Sequence, residues 1–375
     1  MKRRNKIYYV NPMSYNNLGL YDYSLLSNIK NVSVSYFCNL LYDQKKLPNK
    51  TYRFYSYSNK KGIFKIISYF ISQLQLIFFS IKNPPAIIHF QWLKIPSMDY
   101  YVLKILRRFS NHLILTAHNV LPHNSGEIYF KSYAKIYQTV NTIIVHAENT
   151  KQELIEKFSI SSNKIVVIPH GVLDLSYEID HESVRVKVTE IRKELKIKDK
   201  IVFSVLGGLN EYKGINLIVD TWKNKKLSEN KNIQLLIAGS GSVEKVSELA
   251  KTDNVHIENR YLTDVEFLAF LRISDFVLLP YKAISQSGVL LSALSEHKRV
   301  IVTDVGGLKD PFKFGKIGYV LKEYSVSELK SAILKASETA KEYPKDTVWN
   351  EIEMFYNWST IGSETKDVYV SILGL

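Results

Sequence analysis

From about residue 199 the chain alternates short, β-branched apolar runs with stretches of helical period. "KIVFSVLGG" (200–208) precedes "INLIVDTWKNK" (215–225), and "IQLLIAGSGS" (233–242) precedes "VEKVSELAK" (243–251). "VHIENRYL" (255–262) leads to "DVEFLAFLRIS" (264–274), and "DFVLLPY" (275–281) to "GVLLSALSEH" (288–297), before "RVIVTDVGG" (299–307) closes the series. Strands that are apolar at every position are buried on both faces. The pattern therefore predicts a parallel sheet covered by helices on each side.

The front half repeats the theme. Candidate strands are "KIYYVNPM" (6–13), "VSVSYFC" (32–38), "AIIHFQW" (86–92), "LILTAHN" (113–119), "TIIVHA" (142–147) and "KIVVIPHG" (164–171), with helices over 63–80 and 98–109. Polar residues collect where these runs end: Asn11, His89, Gln91, His118, Asn119, His146 and His170. Ligands of open α/β sheets bind beyond the carboxyl ends of the strands, so one sheet edge is expected to carry a site. A chain of 375 residues exceeds what one core serves, and the acidic, polar stretch 174–182 is the expected domain junction.

Composition narrows the class. A hydrophobic content of 46% indicates a globular protein with sizeable cores. The single cysteine, Cys38, allows no intramolecular disulfide and fits a reducing compartment. No Cys/His cluster has metal-ligand spacing, so no metal is expected. The opening "MKRRNKIYYVNPM" has too short an apolar run for a signal-peptide core. The most lipid-like stretch, residues 63–80, is interrupted by Lys65, Gln73 and Gln75 and is expected as a buried or interfacial helix rather than a membrane span. Residues 1–150 hold 19 Lys and Arg against 5 Asp and Glu, while the remainder holds 31 of each, so the whole +14 excess lies in front. That front is either an ordinary solvated surface or one that meets a phosphate-bearing partner, nucleic acid or an anionic membrane.

Three turns carry candidate chemistry. "SVLGGLNEYKG" (204–214) places a glycine pair at a strand end and Lys213 before the next helix, and "LLIAGSGS" (235–242) places a second glycine-rich turn one strand further on. In "LLPYKAISQSGVLLSAL" (278–294) a helix opens on Gln286, Ser287 and Gly288 with no large side chain at its mouth. A helix N-terminus offers unpaired amides and partial positive charge, which suit a phosphate, although Ser287 also reads as an ordinary N-cap. None of the turns has the G-x-x-x-x-G-K-[ST] form. Together, on neighbouring strand ends, they look like a cradle for a nucleoside diphosphate.

The order of these pieces resembles the family 4 glycosyltransferases over nearly the whole chain. "TAHNV" (116–120) matches the family's T-x-H segment, and "VIPHGV" (167–172) its V-I-P-N-G-V junction with His170 in place of Asn. "SVLGGLNEYKGINLIVDTW" (204–222), "LLIAGSG" (235–241) and "NRYLTDVEFLAFLRISDFVLLPY" (259–281) match the donor-side strands and loops. "FYNWSTIGSETKDVYVSIL" (355–373) resembles the terminal helix that crosses back to the first domain. The resemblance implies a GT-B architecture: two Rossmann-like α/β domains with parallel sheets facing a cleft. The acceptor domain is then expected over 1–173, the nucleotide-sugar domain over 174–350 and the crossing helix over 351–375.

The resemblance also assigns roles. Donor contacts are implied for Gly207, Gly208, Lys213, Gly239, Gly241, Tyr261, Leu262, Tyr281, Gln286, Ser287, Gly288, Val289, Leu290 and Ser292, with Tyr261 and Leu262 in the base-binding loop. His118 would hydrogen-bond the donor sugar, and His118 and Lys213 are the expected catalytic residues. Acceptor contacts are expected at Asn16, Gly19, Tyr21, Asp22, Gln91, Trp92 and Asn119; Asp22 is also the one candidate base for an inverting route, but reads more readily as a helix first-turn carboxylate. The family's Glu-x7-Glu positions hold Ile284 and Ser292, its loop arginine is replaced by Gly208, and Glu296 lies one turn beyond Ser292. These departures mark a variant subgroup.

The implied activity is retaining transfer of a sugar from a UDP- or GDP-sugar to a glycan or polyprenyl-diphosphate-linked acceptor in bacterial surface polysaccharide synthesis, without a cofactor. The expected location is cytoplasmic, on the anionic inner face of the cell membrane, with no nucleic-acid partner. The alternatives are a nucleotide-sugar epimerase of the same architecture and a non-enzymatic nucleic-acid- or membrane-binding protein.

Overall fold

A computed structural model describes residues 5–15, 17–43, 47, 49–110, 112–122, 126–172, 179–241 and 244–374. The chain divides into two compact units, Met1–Gly171 with Phe355–Leu375, and Val172–Met354. The expected junction at 174–182 falls largely on residues outside the described set.

The first unit is built on a seven-stranded sheet. Its strands are β1 (Lys6–Val10), β2 (Ser33–Asn39), β3 (Lys50–Tyr55), β4 (Ile87–Phe90), β5 (His112–Thr116), β6 (Thr142–Val145) and β7 (Ile165–Val167). They run parallel in the order β3-β2-β1-β4-β5-β6-β7. Successive side chains of a strand point to opposite faces. Tyr8 and Val10 therefore join Phe37, Ile88 and Leu115 in one core, while Ile7 and Tyr9 join Tyr36, Ile87 and Ile114 in the other. The second core is closed by the helices Asn17–Asn28 and Trp358–Leu373. Gly362 permits their approach, since a Cβ there would lie 2.7 Å from the Asn28 backbone.

The second unit has six strands: β8 (Ile201–Leu206), β9 (Ile233–Ala238), β10 (Val255–Glu258), β11 (Phe276–Leu279), β12 (Arg299–Thr303) and β13 (Gly318–Leu321). They are parallel in the order β10-β9-β8-β11-β12-β13. The order reverses direction between β8 and β11, and a crevice at that point is where doubly wound sheets bind ligands.

Two strands lie outside the sequence expectation. The series does not close at residue 307, because β13 adds a further parallel strand to β12. It is four residues long and opens on Gly318, so it carries little apolar signal. Strand β3 is the edge of the first sheet, half exposed and interrupted by charge at Lys50 and Arg53. Helix 98–109 is observed over Pro96–Leu106, started by Pro96 at its first turn, and helix 63–80 extends over Gly62–Lys82.

Candidate functional site

In the second unit, close backbone packing brings three turns together. Gly207 ends β8 with φ +84°, and Gly239 follows β9 with φ +148°. A Cβ on Gly239 would sit 1.9 Å from the Gly207 carbonyl oxygen, and one on Gly241 would sit 2.0 Å from that of Leu209. Gly239 and Gly241, expected as donor contacts, are accounted for by this contact between neighbouring turns. Gly214, with φ +76°, lets the next loop meet the end of β11, where a Cβ would fall 2.0 Å from the Pro280 oxygen. Lys282 N–H donates to the Tyr212 carbonyl at 2.7 Å and fixes that approach.

The result is a specific place for Lys213. Its ammonium lies 5.7 Å from the centroid of the Tyr281 ring, and among the described residues no charged group offsets its burial. Burial lowers its pKa. A Cβ placed on Gly207 would be 3.8 Å from Lys213 Nζ and 3.4 Å from Val289 Cγ2, so the amine, the strand-end glycine and the mouth of helix Gly288–Ser295 adjoin. Gly208 is half-buried in the same turn, beside Asn210.

Ser287 caps that helix: its Oγ accepts from Leu290 N–H at 3.2 Å, and its hydroxyl lies 3.5 Å from Tyr281 OH. Both readings of the serine therefore meet in one residue. Capping takes the Leu290 amide and leaves those of Gly288 and Val289, which have no partner within the helix. Nothing lies within 4 Å of a Cβ built on Gly288, and that residue is exposed. Gly307 packs against Gln286, a Cβ there falling 2.3 Å from Gln286 Nε2, and its N–H donates to Ser285 O at 3.0 Å. The loop at Gly306 and Gly307, which the sequence reading left out, thus supports the segment before the helix.

The remaining donor expectations separate. Tyr261 is exposed while Leu262 is buried beside it. Ser292 is buried inside its helix. Glu296 forms a two-pronged ion pair with Arg272, at 3.0 and 3.1 Å, and serves the fold rather than replacing a missing glutamate.

In the first unit, Gln91, Trp92, His118 and Asn119 line a pocket of about 450 Å³ together with Lys94, Tyr129, Tyr133 and Tyr137. The tyrosines come from helix Gly126–Thr139, whose pattern gave no sign that it faces a cavity. Lys94 is the one lysine or arginine in this wall among the described residues; burial, and then Lys65, lower its pKa.

Behind the pocket lies a polar chain at the strand ends. His146 Nδ1 meets the Ile168 carbonyl at 2.9 Å and its Nε2 meets His118 Nδ1 at 3.1 Å. The Gln91 amide spans His118 Nε2 (3.1 Å) and His89 Nε2 (3.0 Å), and Tyr369 OH reaches His89 Nδ1 at 2.6 Å. Burial holds the rings neutral: His89 and His146 are lowered to about 3, His170 to about 4, and His118 well below its usual value. Neutral rings impose an order of protons. His146 gives Nδ1–H to Ile168, so its Nε2 accepts from His118 Nδ1–H. His118 Nε2 is left as an acceptor, so the Gln91 amide, whose Oε1 stands 3.1 Å from it and whose Nε2 stands 3.0 Å from His89 Nε2, must turn over to give it an N–H. Trp92 stacks on the His118 ring at 4.5 Å. Among the described residues no His, Cys, Asp or Glu group is arranged to hold a metal ion.

Three acceptor expectations are corrected. Asp22 is fully buried; Tyr9 OH donates to one oxygen (2.8 Å), and Asn11 Nδ2 (2.7 Å) and Tyr36 OH (2.6 Å) donate to the other. Burial raises its carboxyl to about 7 against the opposing effect of these three bonds. With both oxygens engaged inside the core it cannot meet an acceptor. Tyr21 is buried against His118, His170 and Trp358, bracing the histidine chain instead of lining the pocket. Gly19 is buried in the same helix. Asn16 lies outside the described residues.

Residues 41–173 match the model of Glycosyltransferase Family 4, and residues 187–351 match that of Glycosyl transferases group 1. The chain is 24% identical over 250 residues to the uncharacterized glycosyltransferase MJ1069 of Methanocaldococcus jannaschii, covering 64% of this chain and 61% of that one. It is 25% identical over 274 residues to MJ1059 of the same organism, covering 62% and 65%. The match thus spans under two thirds of either relative. Among solved structures, sucrose-phosphate synthase from Thermosynechococcus elongatus is similar with a TM-score of 0.70 at 16% identity, covering 99% of this chain and 100% of that one. Anabaena Alr3699/HepE in complex with UDP is similar with a TM-score of 0.70 at 12% identity, covering 98% and 100%. At these identities the structural likeness shows the GT-B fold.

Proposed function

We propose that the chain, matched in its two parts by glycosyltransferase models, is a family 4 type of glycosyltransferase that moves a sugar from a nucleoside-diphosphate donor to a glycan or lipid-linked saccharide. The carrying observation is Lys213: a half-buried ammonium with no carboxylate partner among the described residues, beside the open mouth of helix Gly288–Ser295. A buried cation without a counter-charge is costly, and an anion that arrives with the substrate removes the cost. A diphosphate fits, with the amides of Gly288 and Val289 as donors. The HepE neighbour is solved with UDP and with UDP-glucose, which supports a nucleotide-sugar donor.

In the reaction so read, the bond from the anomeric carbon to the diphosphate breaks and a bond to the acceptor hydroxyl forms. The hydroxyl proton passes to the departing diphosphate on the same face, which retains configuration. Lys213 and the helix amides neutralise the charge that builds on the leaving group. This route uses no carboxylate nucleophile. On the acceptor side, Trp92, Tyr129 and Tyr133 offer aromatic walls for sugar rings, and Lys94 a partner for a phosphate. His118 Nε2 can accept a sugar hydroxyl in place of the Gln91 amide. Assembly of a surface polysaccharide is the role this acceptor chemistry serves.

Nucleotide release over a set of UDP- and GDP-sugars tests the reading. One donor should be hydrolysed slowly alone and faster with a saccharide acceptor; no release from any donor would refute it.

A further inference from the structure

Helix Gly62–Lys82 is folded with its polar face inward. It buries Tyr69, Ser72, Gln73, Leu76 and Ser80, one stripe at helical spacing. Tyr69 OH and Gln73 Nε2 both donate to Asp99 Oδ1, at 2.7 and 3.0 Å, and Ser72 Oγ donates to the Phe54 carbonyl at 2.8 Å. The other side carries Ile63, Phe64, Phe70, Leu74, Phe78 and Ile81, each at least 45% exposed and Phe64 69%. A helix on a water-facing surface shows the reverse arrangement. A contiguous apolar face of this size marks a partner.

The surroundings identify that partner. Residues 44–98 include nine Lys and Arg and no Asp or Glu. Lys60 and Lys61 precede the helix and Lys82 lies in its last turn, with its ammonium 4.4 Å from the Phe78 ring centroid. Long basic side chains laid along apolar surface, with charged heads at its ends, suit a boundary between lipid and water. A groove of about 730 Å³ beside the helix combines Arg53, Lys60 and Lys61 with Phe64, Ile67 and Ile71. Those are the two chemistries of an anionic lipid, a phosphate and an acyl chain, within one cavity. A second copy of the chain would instead set two faces of the same positive charge against each other.

The helix is long and apolar enough to cross a membrane, but crossing would strip Tyr69, Ser72 and Gln73 from Asp99 and Phe54. An orientation in the plane of the interface keeps those bonds and buries the outer face. We propose that helix Gly62–Lys82 lies flat in the surface of an anionic bilayer, its outward Phe and Ile side chains among the acyl chains and Lys60, Lys61 and Lys82 at the headgroup phosphates.

The test is flotation of the full chain with phosphatidylcholine vesicles, with and without phosphatidylglycerol. The chain should float with the mixed vesicles alone, and added salt should release it. Phe64→Ser with Phe70→Ser should weaken flotation by about tenfold or more, and leave the thermal melt unchanged because neither side chain belongs to the buried core. Lys60→Glu with Lys61→Glu should weaken it by about tenfold or more. Equal binding to both vesicles, no binding, or flotation unchanged in the Phe64→Ser/Phe70→Ser protein would overturn the proposal. So would a solution dimer that the same serine changes break, which would assign the face to a second copy. Flotation is read without turnover, so its outcome is independent of the proposed reaction.

Discussion

Gly239 lies against Gly207 so closely that a Cβ on the first would stand 1.9 Å from the carbonyl oxygen of the second. Gly239 also has φ +148°, a backbone region that side chains avoid. Gly288 differs on both counts: it begins a helix, and its missing Cβ would face open space. Gly239→Ala should therefore destabilise the protein by about 3 kcal/mol or more, seen as a lower midpoint in urea. Gly288→Ala should melt like the parent. Equal melts for the two would contradict this division between a glycine of the scaffold and a glycine of the site.

The buried carboxyl of Asp22 gives a pH prediction. Its folded pKa, about 7, lies above its ordinary value of 3.8. Between those values the folded state holds the proton and the unfolded state releases it, so this contribution is full below pH 3.8 and lost as pH rises through 7. Relative to Asp22→Asn, the parent should lose stability from pH 4.5 to 7.5, measured as urea midpoints. A difference that is flat or grows with pH would exclude the raised pKa. The histidines act oppositely: His89, His146 and His170 are depressed, so their contribution is full above the ordinary pKa of 6.5 and lost as pH falls.

Gln91 joins His118 to His89, and its loss leaves His118 Nε2 without this partner in a buried site. Gln91→Leu should cost about 1–3 kcal/mol, the scale of an unsatisfied buried polar group. Affinity for a nucleoside diphosphate should not change, because the proposed donor site belongs to the other unit. Calorimetric titration beside a melt separates the effects; weakened nucleotide binding in a folded variant would contradict the assignment of the two sites.

Much of the fold was legible because its strands are apolar throughout and their ends are polar. Strand β13 escaped since four residues opening on Gly318 make no run, and β3 since an edge strand tolerates Lys50 and Arg53. The bare helix mouth at Ser287 and Gly288 was legible because its features are local in sequence. Features with distant partners were not legible. Asp22 takes its donors from Tyr9, Asn11 and Tyr36, and Glu296 takes its partner from Arg272. Periodicity marks helix 63–80 as apolar, but Asp99 decides which side turns inward.

The most direct test of the central claim is calorimetric titration of UDP and GDP into the parent, Lys213→Ala and Gly288→Val, with initial rates of nucleotide release from the accepted donor. The parent should bind one of the two nucleotides. Gly288→Val should lose that binding, by filling the space above the helix amides. Lys213→Ala should lower turnover by about 10²–10³-fold, the scale of one preorganised electrostatic group, and both variants should melt like the parent. Variants that bind and turn over as the parent does would show that the mouth of helix Gly288–Ser295 is only a turn.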